Sequence, residues 1–239
     1  MKKYATLCCL VLLVCVSTPP AALAVFLGNS DYGKEYLVGV EDLSKWTTGL
    51  YYENITRDVY YQFATASKME INRTMLYLGY DFIPWMTTYV TAGSCATEID
   101  NVEPYRDDTV YGFGMHFNLL DHDILDPTLF ENAIRINAAW EYTMNNADIP
   151  NAGNWRELQL SLTFSLINDI EGNSLYLPKA IAIYAKPIMS DIQVGDMNEE
   201  EKVGFGAGLE VFYSERISFH FGMLSFGSNS TTAGLHVRL

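Results

Sequence analysis

The sequence predicts an all-β protein, a closed antiparallel up-and-down transmembrane β-barrel of about ten strands, with eight as the alternative count. Three observations lead there. From Trp46 onward the chain is a succession of segments, each about ten residues long, in which apolar residues alternate with polar or small ones. No amphipathic helix of useful length accompanies them, so these apolar faces have no protein layer to cover them, and lipid is the other solvent for such a face. The sequence also closes on this pattern, since Val203–Tyr213, Ile217–Met223 and Thr232–Leu239 are three strands of one kind.

The first residues read as a secretory signal peptide. Lys2 and Lys3 precede an apolar stretch from Ala5 to Val16, and Ala22-Leu23-Ala24 after Pro19-Pro20 makes an A-x-A cleavage site. The apolar run is shorter than the roughly 20 residues of a spanning helix. A lipoprotein site at Cys15 lacks the small residue expected just before it, because Leu12-Leu13-Val14 stands there. The division is therefore a cleaved leader over 1–24, a lead-in over 25–45 and a barrel over 46–239. Within the lead-in, Tyr36–Leu43 is either a short strand or irregular. Cleavage removes two lysines and no acids, leaving 13 basic against 29 acidic residues, a balance of −16 that argues against nucleic acid as a partner. Cys8, Cys9 and Cys15 leave with the leader, so Cys95 has no intrachain partner. Mean hydropathy is near zero, as expected when only alternate residues face lipid.

The strands follow in order. Trp46–Ile55 sets Leu50 and Tyr52 against Gly49, Tyr51 and Glu53. Ser67–Phe82 sets Leu76, Leu78, Tyr80 and Phe82 against Arg73, Tyr77, Gly79 and Asp81. Ile83-Pro84-Trp85 is a tight turn, since proline cannot continue the ladder, and Met86–Cys95 follows at once. Thr109–Asn118 opposes Tyr111, Phe113, Met115 and Phe117 to Gly112, Gly114 and His116. Phe130–Asn145 has the longest regular pattern, with Ile134, Ile136, Ala138, Trp140, Tyr142 and Met144 against Arg135, Asn137, Ala139, Glu141 and Thr143. Trp155–Ile167 matches it, with Leu158, Leu160, Leu162, Phe164 and Leu166 on one side. Lys179–Met189 is less regular, and Pro187 is expected to mark a bulge or an early end. The three C-terminal strands complete the ten.

The connections assign the two ends. Thr56–Ala66, Ala96–Asp108, Asn146–Asn154, Ser190–Glu201 and Gly227–Ser230 are expected outside, and the tight Ile83–Trp85 and Ser214–Arg216 in the periplasm. Leu119–Leu129, a longer periplasmic connection, departs most from that plan. Trp46, Trp85 and Trp155 at strand ends, and Trp140, are expected in an aromatic girdle. The inward face collects Glu53, Arg73, Asp81, Arg135, Glu141, Glu157, Lys186, Glu210 and Arg238 with His116, His220 and His236. Inside a narrow barrel such charges must pair. Tyr51, Tyr77 and Tyr184 on the same face narrow any bore.

No catalytic, cofactor-binding or metal-ligating residue is predicted. G-x-S-x-G is absent, the four histidines are scattered, and the only adjacent acids and histidine, Asp121-His122-Asp123, lie in a predicted periplasmic turn. Glu98, Asp100, Glu103, Asp107 and Asp108, with Asp196, Glu199, Glu200 and Glu201, read as solvated acidic loop tips whose spacing matches no calcium loop.

Thr232-Ala233-Gly234-Leu235-His236-Val237-Arg238-Leu239 resembles the C-terminal assembly signal of bacterial outer-membrane barrel proteins. Leu239 stands where an aromatic residue is usual. Across residues 46–239 the pattern is similar to the small opacity-type, or outer membrane β-barrel, group. That resemblance implies a Gram-negative-type outer membrane, contact with lipid and lipopolysaccharide, and an assembly machinery that reads Gly234, Val237 and Leu239. The expected role is structural or interactive, presenting acidic loops; the alternatives are a narrow, porin-like pore for small solutes or ions, and an enzyme acting on lipid or peptide.

Overall fold

The computed structural model describes residues 44–61, 67–83, 85–100, 108–124, 132–145, 155–170, 177–194, 197–199, 201–214 and 216–239. The expected leader, the lead-in up to residue 43, and the acidic positions Glu103, Asp107, Asp196 and Glu200 lie outside them. The described chain is strand after strand: β1 (Trp46–Tyr61), β2 (Ser67–Ile83), β3 (Met86–Ile99), β4 (Asp108–Ile124), β5 (Asn132–Asn145), β6 (Trp155–Asp169), β7 (Ala180–Val194), the short β8 (Met197–Glu199), β9 (Val203–Phe212), β10 (Ile217–Phe226) and β11 (Ser228–Arg238). Each pairs antiparallel with its neighbour, and β11 returns to β1 from Thr47↔Arg238 to Asn54↔Thr231. The result is a closed ten-stranded barrel with β8 as an additional piece. Closure matters because an open sheet would leave two rows of unpaired backbone groups, which hydrocarbon cannot satisfy.

The end bearing the β1–β2, β3–β4, β5–β6 and β7–β8 connections is the loop end; the other, with Ile83–Met86 and Phe212–Ile217, is the turn end. At the loop end the wall narrows. Direct pairs run Leu50↔Leu76, Leu76↔Ala92, Ala92↔Tyr111, Tyr111↔Met144, Met144↔Arg156, Arg156↔Gln193, Gln193↔Asn198 and Asn198↔Tyr60. That path passes through eight strands, β1 to β8, and returns to β1 farther along than it began, at Tyr60 instead of Leu50, which is the stagger a tilted barrel requires. The hairpin β10–β11 stops short of this rim, turning at Gly227 with φ 75, so β8 meets β1 directly above it. The barrel is ten strands round along most of its length and eight at its rim.

β8 and β9 together run along β7 with a slip of register between them, from Gln193↔Asn198 to Met189↔Val203. The expected external connection Ser190–Glu201 is thus largely wall. Similar extensions carry β1 to Tyr61, β3 to Ile99 and β4 to Ile124, where Leu119–Leu129 had been expected to be a turn. In β4 the extension is reached through an irregularity between Asn118 and Leu120. Pro187 neither bulges nor ends β7. Ser161↔Ile188 and Phe164↔Ala185 keep one register on both sides of it, and only the intervening pairs drop out of the ladder, as the missing proline N–H requires.

Candidate functional site

The interior is built by strand parity. Along β7 burial alternates at every residue, from Ala180 to Val194. Glu53, Arg73, Asp81, His116, Arg135, Glu157, Lys186, Glu210, His220, His236 and Arg238, all expected inside, are buried there, and Glu141 joins them through Tyr89.

The charges pair. Glu157, 1% exposed, accepts from Arg57 Nη2 at 3.0 Å, Ser190 Oγ at 2.8 Å and Gln159 Nε2 at 2.7 Å, while its other oxygen faces Arg73 Nη1 at 3.4 Å. Arg73 also donates to Glu53, so two arginines and two glutamates form one chain across β1, β2 and β6. The Arg57 guanidinium lies 3.2 Å from the ring centroid of Phe226. Toward the turn end Arg238 pairs with Asp81, and Arg135 Nη2 with Asp121 Oδ2 at 2.8 Å.

A row of rings crosses the middle: His116 to Tyr89 at 5.2 Å, Tyr89 to Tyr77 at 5.1 Å, Tyr77 to His236 at 5.8 Å and His236 to His220 at 4.8 Å. Tyr89 Oη donates to Glu141 at 2.9 Å. Inward glycines admit these rings. A Cβ at Gly114 would meet Tyr89 at 2.4 Å, and one at Gly234 would meet His220 at 2.2 Å.

Around the paired charges and on toward the loop end, Ile55, Val59, Ile71, Val110, Trp155, Ile192, Val194 and Phe226 form one buried apolar cluster, with the polar Asn145 and Glu199 buried at the same level. Trp155 is therefore not part of a girdle: it is fully buried inside the rim, because it shares parity with Glu157. Trp46 and Trp85 do face outward at the turn end, Trp46 against Tyr80 with ring centroids at 4.8 Å. Trp140 faces outward on Phe113 at 5.4 Å.

Glu199, expected as a solvated loop tip, is buried. Its Oε1 accepts from Ile192 N at 3.1 Å, in the stretch of β7 between its pairings with β8 and β9, and burial pushes its carboxyl up to about 7. Arg57, Ser190, Asp121 and Glu199 were missed as interior residues because each lies beyond the sequence-assigned end of its strand. Extending the same parity from Glu53 would have placed Arg57 inside.

No family model and no curated protein matches the chain. Solved structures similar to it include an outer-membrane channel from Pseudomonas putida F1, 12% identical with a TM-score of 0.43 over 90% of this chain and 100% of that one. The transport unit of the autotransporter AIDA-I from Escherichia coli is 11% identical, TM-score 0.42, over 90% and 93%. The translocator domain of the autotransporter NalP from Neisseria meningitidis is 9% identical, TM-score 0.41, over 87% and 93%. Similarity at this level carries no inference about activity, and the barrel stands on its own strand register.

Proposed function

We propose that the chain is a bacterial outer-membrane β-barrel with a structural or surface-interaction role, its interior a filled, ion-paired core and its loop end turned outward. The observation that carries this reading is the belt of exposed apolar side chains around a closed ring. Leu76, Leu78, Phe82, Val90, Phe113, Leu160, Phe164, Ile183, Phe205 and Met223 are all more than 40% exposed and lie on seven different strands. A surface of that kind is unfavourable in water on every side of the molecule and favourable in hydrocarbon. The rings, ion pairs and apolar rim that occupy the interior support a scaffold over a narrow pore. Catalysis is not proposed, since Asp121 is held by Arg135 while its neighbour His122 is exposed. The leader over 1–24 would deliver the chain, and the opacity-type group is the family we favour. The assembly machinery would read Gly234, Val237 and Leu239 on the closing strand, and lipid with lipopolysaccharide would surround the belt.

Fractionation with outer membranes and heat-modifiable gel migration are the expected outcomes. A folded, monodisperse protein without detergent would overturn the membrane reading. Planar-bilayer recordings test the rest, because stable discrete conductance steps would replace the scaffold by a pore.

A further inference from the structure

The outward face of β1 and β2 changes character partway along. Leu50, Leu76 and Leu78 are exposed and apolar, but the next register pairs toward the loop end are Tyr52↔Thr74, Asn54↔Asn72 and Thr56↔Glu70. Four of these polar side chains are locked together. Asn54 Nδ2 donates to Asn72 Oδ1 at 2.7 Å and Glu70 Oε1 at 2.6 Å, Tyr52 Oη donates to Asn72 Oδ1 at 2.9 Å, and Asn72 Nδ2 donates to Glu70 Oε1 at 3.2 Å. Ala96, paired with Asn72 on the next strand, leaves the adjoining surface low.

We propose that this row, Tyr52, Asn54, Asn72 and Glu70, is a docking surface for the sugar headgroup of a glycolipid in the surrounding leaflet. The inference rests on the membrane reading above, which puts the row at headgroup height, one residue pair beyond the apolar belt. Its chemistry suits hydroxyl groups. Amide and carboxylate groups are held in fixed orientations by one another, so little side-chain freedom is lost when a partner binds, and the 40% exposed Tyr52 ring borders them as an apolar edge against which a sugar face can lie. The charge is wrong for phosphate: Glu70 and Asp58 stand against Lys68 alone among the charged outward residues described on these two strands above the belt. Sugar hydroxyls, rather than the lipid's phosphates, are what the row would select.

The test uses the full chain folded into lipid nanodiscs and titrated, by native mass spectrometry, with rough-type lipopolysaccharide and with cardiolipin, which carries acyl chains and phosphates without any sugar. The wild type should prefer the sugar-bearing lipid about tenfold, the net worth of one or two hydrogen bonds. Asn54→Ala/Asn72→Ala should abolish that preference while heat-modifiable migration is retained. Should the double variant misfold, Tyr52→Phe, which keeps the ring and removes only the hydroxyl, should reduce the preference severalfold. Equal binding of the two lipids by the wild type, or an unchanged preference in the variants, would overturn the docking surface and leave the barrel standing. Failure of the wild type to enter lipid at all would remove the membrane reading and this proposal with it.

Discussion

Removing Glu157 is the sharpest test of a closed, ion-paired interior. Its two oxygens serve Arg57, Arg73, Ser190 and Gln159 at 3.0, 3.4, 2.8 and 2.7 Å, and both arginines are at most 2% exposed. In Glu157→Ala, Arg73 keeps Glu53, but Arg57 keeps Ser190 Oγ at 2.9 Å, the face of Phe226 and only the longer-range attraction of Glu199. One guanidinium then loses its hydrogen-bonded counter-charge inside the barrel, which costs about 3–5 kcal/mol. Glu157→Gln leaves an acceptor oxygen in place and should cost about 1–3 kcal/mol. The double variant Glu157→Leu/Arg57→Met removes both charges and fills the space with apolar atoms, so it should lose less than Glu157→Ala alone and reveal a coupling above about 1 kcal/mol. The assay is reversible urea unfolding in liposomes followed by gel mobility. If Glu157→Ala falls within about 0.5 kcal/mol of the wild type, as an exposed substitution would, the cluster is solvated and the closed-core argument fails.

Three further outcomes follow from where side chains stand. Phe221→Arg, on the lipid face where Phe221 pairs with Ala233 and Leu209, should cost about 2–4 kcal/mol, whereas Val237→Arg, paired with the first residue of β10 near the turn-end interface, should cost about 1 kcal/mol or less; equal losses in the same unfolding assay would contradict the depth assignment. Trp155→Ala should lose about 3–5 kcal/mol and Trp85→Ala under 1 kcal/mol, since one ring is fully buried in the rim and the other is 49% exposed. Because burial raises the Glu199 carboxyl to about 7, well above an unfolded carboxylate, the rim is most stable while Glu199 is protonated and loosens as pH rises through that value. Amide exchange of Ile192 and β8, corrected for intrinsic rates, should therefore quicken between about pH 5 and pH 8, and Glu199→Gln should flatten that dependence.

Sequence alone determined which residues face in and which face out. A strand turns over at every residue, so one correctly placed residue assigns the whole strand, and Glu53, Arg73, His116, Arg135, His220 and Arg238 stand where alternation put them. Trp155 was misplaced only where its position at a strand end was allowed to outweigh its parity with Glu157. Strand ends were not legible: polar Arg57, Asp58 and Asp121 look like loop or turn residues, yet the wall runs on past them, since backbone pairing depends on the neighbouring strand being there and not on the side chain's own hydropathy. Nor could alternation say which ions would meet. Arg57 and Glu157 are 100 residues apart and touch only because the ring closes with the stagger it has. The narrowing from ten strands to eight belongs to the same class. It depends on β10 and β11 stopping at Gly227 while β1 and β7 continue, and only the assembled ring lets β8 reach both of them at once.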